Sequence, residues 1–299
     1  MIVGLSVVKN ESDIIEVMIR HNIRFLDKLI VIDNGSADAT VSIIRHLIDE
    51  GCQCELRIEA GNDHSQHLIL TRMVAELSAA GVDRIIFLDA DEFIRADMEA
   101  FRAEMSDRKK GIKLPWMTYI PMPSDNLAEP NVLRRITHRR ATEVPQTFKA
   151  TVNAGLMADR LEVSKGAHKL SGTGRGAVAL ELSETAVLGH FPVRTAEQLI
   201  AKALIGAWSV RIRGQRRNEA HHWVRLTERF LTSRELSRSD LMNIALRYSG
   251  NRSDGTVHDP ILFDIAVLPA AEPGDLLVQK IISYTDSLIA ELHAARLRV

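Results

Sequence analysis

Ile85-Ile86-Phe87-Leu88-Asp89-Ala90-Asp91-Glu92-Phe93-Ile94 is the stretch on which the fold turns. An apolar run ends in three acids within four positions and then becomes apolar again. A short apolar run bounded by polar residues reads as a buried strand. Carboxylates at the end of such a strand lose hydration, a cost that a cation offsets. Their oxygens suit hard divalent ions such as Mg²⁺ and Mn²⁺. Asp89 and Asp91 are two apart, so on an ideal strand they share a face. Open α/β sheets bind ligands beyond the carboxyl ends of their strands, which is where this pair falls.

An Asp-x-Asp alone also fits a plain charged turn, and the preceding residues decide between the two. Ile2 to Val8 is apolar and ends in Lys9-Asn10-Glu11-Ser12. Lys28 to Ile32 is apolar and ends in Asp33-Asn34-Gly35-Ser36-Ala37-Asp38-Ala39-Thr40. Between these runs lie helical patterns. Ser12 or Asp13 can cap a helix that turns Ile14, Ile15, Met18 and Ile19 inward. Ser36 or Asp38 can cap another carrying Val41, Ile44, Leu47 and Ile48, with Gly51 as its stop. Cys54 to Ile58 is a weaker strand, and a helical stretch from about Ser65 to Ala80 stops at Gly81. Strand and helix alternating at this spacing predict right-handed crossovers and a mostly parallel sheet with flanking helices. Every acid-bearing loop then falls on one edge and contributes to one site.

The texture changes after residue 95. Lys113 to Ile120 and Ala177 to Leu180 read as strands among scattered Gly and Pro. From Thr195 the pattern is helical, broken at Ser249–Pro260 and at Ala271–Asp275 before a final helix from about Leu276 to Leu297.

Asn10-Glu11, Asp33-Asn34-Gly35-Ser36-x-Asp38-x-Thr40 and Leu88-Asp89-Ala90-Asp91-Glu92, in this order and spacing, resemble family-2-type glycosyltransferases of the GT-A fold. Lys165-Gly166-Ala167-His168 and Leu188-Gly189-His190-Phe191-Pro192-Val193-Arg194-Thr195-Ala196-Glu197-Gln198 resemble a bacterial subgroup that carries the Asp-Ala-Asp-Glu-Phe motif. The resemblance implies an α/β, GT-A (Rossmann-like) catalytic domain over 1–195. Its nucleotide-binding half is 1–95 and its acceptor-side half is 96–195, followed by a largely helical C-terminal extension over 196–299. The implied reaction is metal-dependent transfer of a sugar, with inversion, in glycan or polysaccharide synthesis. The implied donor is a nucleotide-sugar, a UDP-sugar being favoured, and the acceptor is a hydroxyl of a glycan, a lipid-linked or a small molecule.

Cleaving a nucleotide-sugar leaves a diphosphate whose charge must be neutralised, and Mn²⁺ or Mg²⁺ does this. On the resemblance, Asp91 is the direct metal ligand, and Asp89 contacts the ribose or reaches the metal through water. His190 is a further ligand, a half-buried histidine closing a strand being the alternative. Asp33 accepts a hydrogen bond from the base, with Asn10 and Glu11 in the same pocket, although Asp33 to Ser36 are all turn formers as well. Asp38 and Thr40 read as helix caps. Gln66 touches the nucleotide, whereas Arg72 reads as an exposed helix residue. An inverting transfer needs a base for the acceptor hydroxyl. The candidates are Glu92, Glu143, Asp159 and His168. Glu92 beside the metal motif and His168 in the subgroup's loop are the preferred pair. Lys149, Lys169 and Arg194 could neutralise the diphosphate, a plain surface role being the simpler reading for each.

A chain of 299 residues can bury a large core in one or two domains. A formal net charge of −1 argues against a nucleic-acid partner. Cys52 and Cys54 have neither zinc-knuckle nor redox spacing and read as reduced thiols. The chain opens without a basic leader, and no stretch is apolar enough to span a bilayer, so the expectation is a cytoplasmic protein. From Arg194 to Arg229 eight basic residues face three acids beside Trp208 and Trp223. Such a segment can lie peripherally on the anionic inner face of a membrane or form a solvated helix face. Rival activities fit less well. A nucleotidyltransferase wants a Gly-rich basic loop where this chain has Lys9 to Ser12. A phosphatase wants its Asp-x-Asp after the first strand. A non-catalytic carbohydrate- or nucleotide-binding protein of the same fold has no need of both Asp89 and Asp91.

Overall fold

The computed structural model describes residues 1–59, 66–157, 161–172, 176–212, 236–250, 253, 255–263, 265 and 267. The first half runs β1 (Ile2–Val8), α1 (Ile15–Asn22), β2 (Lys28–Asp33), α2 (Thr40–Asp49), β3 (Cys54–Ile58), α3 (Gln66–Ala79), β4 (Arg84–Phe87), β5 (Glu92–Ala96) and α4 (Met98–Met105). Then come β6 (Ile112–Ile120), α5 (Val132–Arg135), β7 (His138–Arg140), β8 (Phe148–Asn153), α6 (Ala154–Met157), β9 (Leu161–Val163), β10 (Leu170–Gly172), β11 (Gly176–Ala177), β12 (Glu181–Leu182) and β13 (Ala186–His190). The last described elements are α7 (Ala196–Ile212), α8 (Arg238–Leu246) and β14 (Thr256–His258).

The main sheet has the order β14-β7-β6-β8-β4-β1-β2-β3, with β12 and β13 also on β6, and β5 on β13. The pairs β1·β2, β2·β3 and β1·β4 are parallel, while β8 is antiparallel to β4 and β6. Both faces of the parallel part are covered. Leu29 and Val31 of β2 turn toward Ile15, Met18 and Ile44 on one face. Ile30 and Ile32 turn toward Ile69, Met73 and Leu77 on the other. Two-sided burial explains why these strands read as unbroken apolar runs instead of alternating ones. Ile14, Ile15, Met18 and Ile19 are all buried, as their helical spacing predicts.

Several local expectations are corrected. Asp89 and Asp91 do not share a strand face, because β4 ends at Phe87 and the acids occupy the turn into β5. Glu92 closes that turn: its Oε2 accepts from the Asp89 amide at 2.7 Å, and its own amide donates to the Asp89 carbonyl at 3.1 Å. Neither α1 nor α2 has a capping side chain; Ile14 and Ala39 hold the N-cap positions. The polar residues are used to cross-link the two loops instead. Asp38 accepts from the amides of Ser12 (3.2 Å) and Thr40 (3.0 Å), and Thr40 Oγ1 accepts from the Glu11 amide at 2.9 Å. Of Ala177 to Leu180, Ala177 alone is in a strand, within a three-stranded sheet β11-β10-β9. Thr256–His258, inside the expected break, is a strand on the edge of the main sheet. Asp259 beside it is held by Arg95 at 2.5 and 2.6 Å and by Arg139 at 2.6 Å.

Both cysteines are free thiols. Among the described residues no helix is long and apolar enough to cross a membrane. Asp159, Arg213 to Arg229 with Trp223, and the final helix at 276–297 lie outside the described residues, as do the side chains of Trp208 and Arg211.

Candidate active site

The loops after β1, β2 and β4 border a cleft of about 400 Å³, closed on the far side by Trp116, His168, His190, Lys202 and Tyr248. His190 reaches it through strand register. β13 runs antiparallel to β5 with His190 opposite Glu92, and the Phe191 amide donates to the Asp91 carbonyl at 2.8 Å. This leaves His190 Nε2 3.9 Å from Asp91 Oδ1. The imidazole stacks on Trp116 at 4.0 Å and 23°. Burial lowers the His190 pKa to about 4, against the opposing pull of Asp91, so the ring is neutral near pH 7 and can act as a ligand.

The other Asp91 oxygen faces cations. Lys202 Nζ is 3.1 Å and Arg194 Nη1 3.8 Å from Oδ2. Burial pushes the Asp91 carboxyl up, but Lys202, His190 and Arg194 outweigh it and hold the group well below the usual carboxylate range. Arg194 is not a surface residue: its side chain is fully buried, donating to Asp13 at 2.7 and 3.0 Å, to Glu11 at 2.8 Å and to the Phe191 carbonyl at 3.2 Å. Burial raises the pKa of Glu11 despite Arg194.

Asp89 is already committed on both oxygens, to Gln66 Nε2 at 2.8 Å and to Lys149 Nζ at 2.6 Å. Lys149 also lies 3.0 Å from Glu92 Oε2. Glu92 is fully buried beneath the cleft, and that burial pushes its pKa up to about 8 against the attraction of Lys149. It therefore stands under the acidic turn as a support and does not line the cleft. Glu143 is likewise engaged, by the Thr118 amide at 2.5 Å and by Arg140 at 2.8 Å.

Asp33 is buried and accepts from the Gly35 amide at 3.1 Å and the Ser36 amide at 3.0 Å, so it builds the turn that presents Asn34 to the cleft. Asn10, at a positive φ of 56°, accepts from the Ala37 amide at 2.8 Å and secures the same turn. Gln66 and Glu11 border the cleft directly. His168 also borders it, edge-on to Trp116 at 5.2 Å, with Nδ1 2.8 Å from the Phe148 carbonyl. A Cβ on Gly166, whose φ is +68°, would fall 2.5 Å from His168 Nε2, so this loop depends on glycine. Arg72 is exposed and pairs with Glu59, and Lys169 is exposed.

Lys202, Trp116 and Tyr248 escape a motif-based reading, and Lys149 and Arg194 are undervalued by it. A signal for the lysines exists. Each interrupts an apolar stretch, Lys149 before Ala150-Thr151-Val152 and Lys202 within Leu199-Ile200-Ala201-Lys202-Ala203-Leu204. A lysine in such a place is seldom buried without a partner.

The donor set suits a divalent cation. The connected carboxylates are Glu11, Asp13, Asp89, Asp91 and Glu92, and the cations beside them are Arg194, Lys149 and Lys202. With Glu92 keeping its proton near pH 7, the four remaining carboxylates outnumber the three cations by one. Asp89, Asp91 and His190 do not converge, however, and among the described residues no three acidic, His or Cys side chains are grouped to hold an ion. Lys149 and Gln66 draw Asp89 aside, leaving Asp91 Oδ1 facing His190 Nε2. Two protein ligands are enough where phosphate oxygens and water complete the shell.

No curated protein matches the sequence. The fold is similar to S. aureus TarS 1-349, at 13% identity over 77% of this chain and 70% of that one, with a TM-score of 0.38. It is similar to the mannosyltransferase PcManGT from Pyrobaculum calidifontis in complex with GDP-Man and Mn²⁺, at 14% identity over 82% and 72%, with a TM-score of 0.38. Similarity to glucosyl-3-phosphoglycerate synthase from Mycobacterium tuberculosis is 21% identity over 39% of this chain and 44% of that one, with a TM-score of 0.29, so the chain spans less than half the synthase's length. The family model for glycosyl transferase family 2 matches residues 6–159, which is more than half of the chain and carries all three acid-bearing loops. The chain belongs to glycosyl transferase family 2.

Proposed function

We propose that the chain moves a sugar from a nucleotide-sugar donor, a UDP-sugar by preference, to a hydroxyl acceptor, with inversion at the anomeric carbon. The observation that carries this reading is the pair Asp91 Oδ1 and His190 Nε2, 3.9 Å apart at the wall of an anionic cleft. These two residues would hold Mn²⁺ or Mg²⁺, which when bound supplies charge neutralisation for the departing diphosphate. Asn34, on the turn that Asp33 and Asn10 hold, and Glu11, in the loop after β1, would face the nucleoside. Gln66 and Asp89 form a hydrogen-bonded pair at 2.8 Å suited to ribose hydroxyls.

His168 is the residue we assign to the acceptor proton. Its Nδ1–H donates to the Phe148 carbonyl, which leaves the lone pair on Nε2. Burial lowers its pKa, so the ring is neutral and able to accept a proton near pH 7. In this reading residues 1–95 bind the nucleotide and 96–195 the acceptor side, while 196–299 completes the site through Lys202 and Tyr248. An acceptor carried on a lipid would bring the protein to a membrane surface without a spanning segment.

A thermal-shift panel of UDP, GDP, dTDP and CMP, each with and without Mn²⁺, tests the assignment. A ligand that binds only the folded protein raises the melting temperature by mass action. We expect a Mn²⁺-dependent shift with one nucleoside diphosphate above the others. No shift with any of the four, with or without metal, would rule out a nucleotide donor of these types.

A further inference from the structure

Among the described residues three cations approach the acidic turn, and two of them are enclosed. Arg194 gives its donors to Asp13, Glu11 and the Phe191 carbonyl, with a fully buried side chain. Lys149 is 1% exposed and held between Asp89 and Glu92. Lys202 differs. Its Nζ has an ion-paired contact with Asp91 Oδ2 at 3.1 Å, its side chain is 31% exposed, and it borders the cleft. An ammonium has three donors, so with one carboxylate oxygen as its hydrogen-bond partner among the described residues Lys202 keeps capacity for a ligand. Lys202 also sits on α7, past residue 159 where the family match ends.

We propose that Lys202 grips the diphosphate of the donor and carries part of the leaving group's charge. This deepens the reading given under Proposed function and rests on it. In the transfer, the bond between the anomeric carbon and the phosphate oxygen breaks and its electron pair stays on that oxygen. The acceptor oxygen bonds to the carbon and gives its proton to the base. Lys202 keeps its own protons throughout and acts as a fixed cation beside the developing charge. Asp91 holds it there through Oδ2 while Oδ1 faces His190, so the same carboxylate that holds the ammonium would also help hold a metal ion. A compact ammonium with rotatable donors suits phosphate oxygens as they gain charge.

The test uses the full chain and inorganic pyrophosphate, which needs no knowledge of the nucleoside base. Calorimetry at saturating Mn²⁺ compares wild type, Lys202→Met and Lys202→Arg, each checked for an unchanged melting temperature. Lys202→Met should weaken pyrophosphate binding by about 10- to 100-fold, the scale of a lost charge-assisted hydrogen bond, and Lys202→Arg should recover most of it. Binding of Mn²⁺ alone is measured in parallel. If Lys202→Met tightens Mn²⁺ but leaves pyrophosphate affinity unchanged, the lysine merely competes with metal for Asp91 and the proposal is overturned. A wild-type protein that binds Mn²⁺ but not pyrophosphate overturns the donor reading itself, a result distinct from failure of Lys202 alone.

Discussion

Lys149 Nζ sits 2.6 Å from Asp89 Oδ2 with its side chain 1% exposed, so the first aspartate of the acidic turn carries a buried lysine of its own. The same ammonium lies 3.0 Å from Glu92 Oε2. Burial works against the Lys149 charge, but Asp89 and Glu92 outweigh it and raise its pKa. The turn is thus built around a buried cation from β8, more than fifty residues downstream.

Lys149→Met should destabilise the fold by about 3–5 kcal/mol, the scale for breaking one side of a buried ion pair. Urea denaturation reads this as a lower midpoint at unchanged slope. Adding Glu92→Gln should restore part of the loss. A single mutant as stable as wild type would show that the lysine is not needed in the core.

Glu92 predicts a pH effect of definite sign. Its folded pKa, about 8, lies above the ordinary 4.5. The folded state therefore keeps a proton that the unfolded chain releases, and this contribution is complete below pH 4.5 and lost as pH rises through 8. Glu92→Gln should flatten the decline in stability across that window, measured by denaturation at a series of pH values. An equal decline in both proteins would assign it to other groups.

Asp91→Ala should abolish metal-dependent nucleotide binding while the protein stays folded. His190→Ala should raise the Mn²⁺ concentration for half-saturation by at least about tenfold, since metal-site changes of this kind cost 10- to 100-fold in affinity. Titration calorimetry separates the two. Retention of wild-type Mn²⁺ affinity in His190→Ala would remove the imidazole from the metal site.

Asp33 and Asn34 should differ although they are neighbours. Asp33→Ala removes two amide contacts from a buried turn, so it should lower the melting temperature and weaken nucleotide binding in EDTA by about tenfold. Asn34→Ala should weaken binding with little effect on stability. A loss of affinity confined to Mn²⁺-containing buffer would move both residues away from the nucleoside.

His168 should control the acid limb of activity. As a base it must be neutral, and burial keeps its pKa below the ordinary imidazole value of 6.5. Turnover at saturating Mn²⁺ should hold through pH 6.5 and fall only below it. Gly166→Ala, which brings a methyl to 2.5 Å from Nε2, should lower kcat more than KM. An unchanged kcat in both Gly166→Ala and His168→Ala would assign the proton to another group.

Much of this protein was legible in the chain. Unbroken apolar runs separated by helical spacing determined β1 to β4 and their parallel crossovers, because strands buried on both faces admit little else. Polar residues at the ends of those runs marked the loops of the cleft. Their individual duties were not legible, since a carboxylate that accepts from a turn amide, as Asp33 does, reads like one that meets a ligand. Tertiary structure alone decided what depends on pairing between distant segments. The β5·β13 register brings His190 to Asp91, Lys149 and Lys202 each claim one aspartate, and Glu92 is driven under the site instead of into it. A lysine's partner is set by where strand β8 and helix α7 pack, and side-chain periodicity carries no information about that.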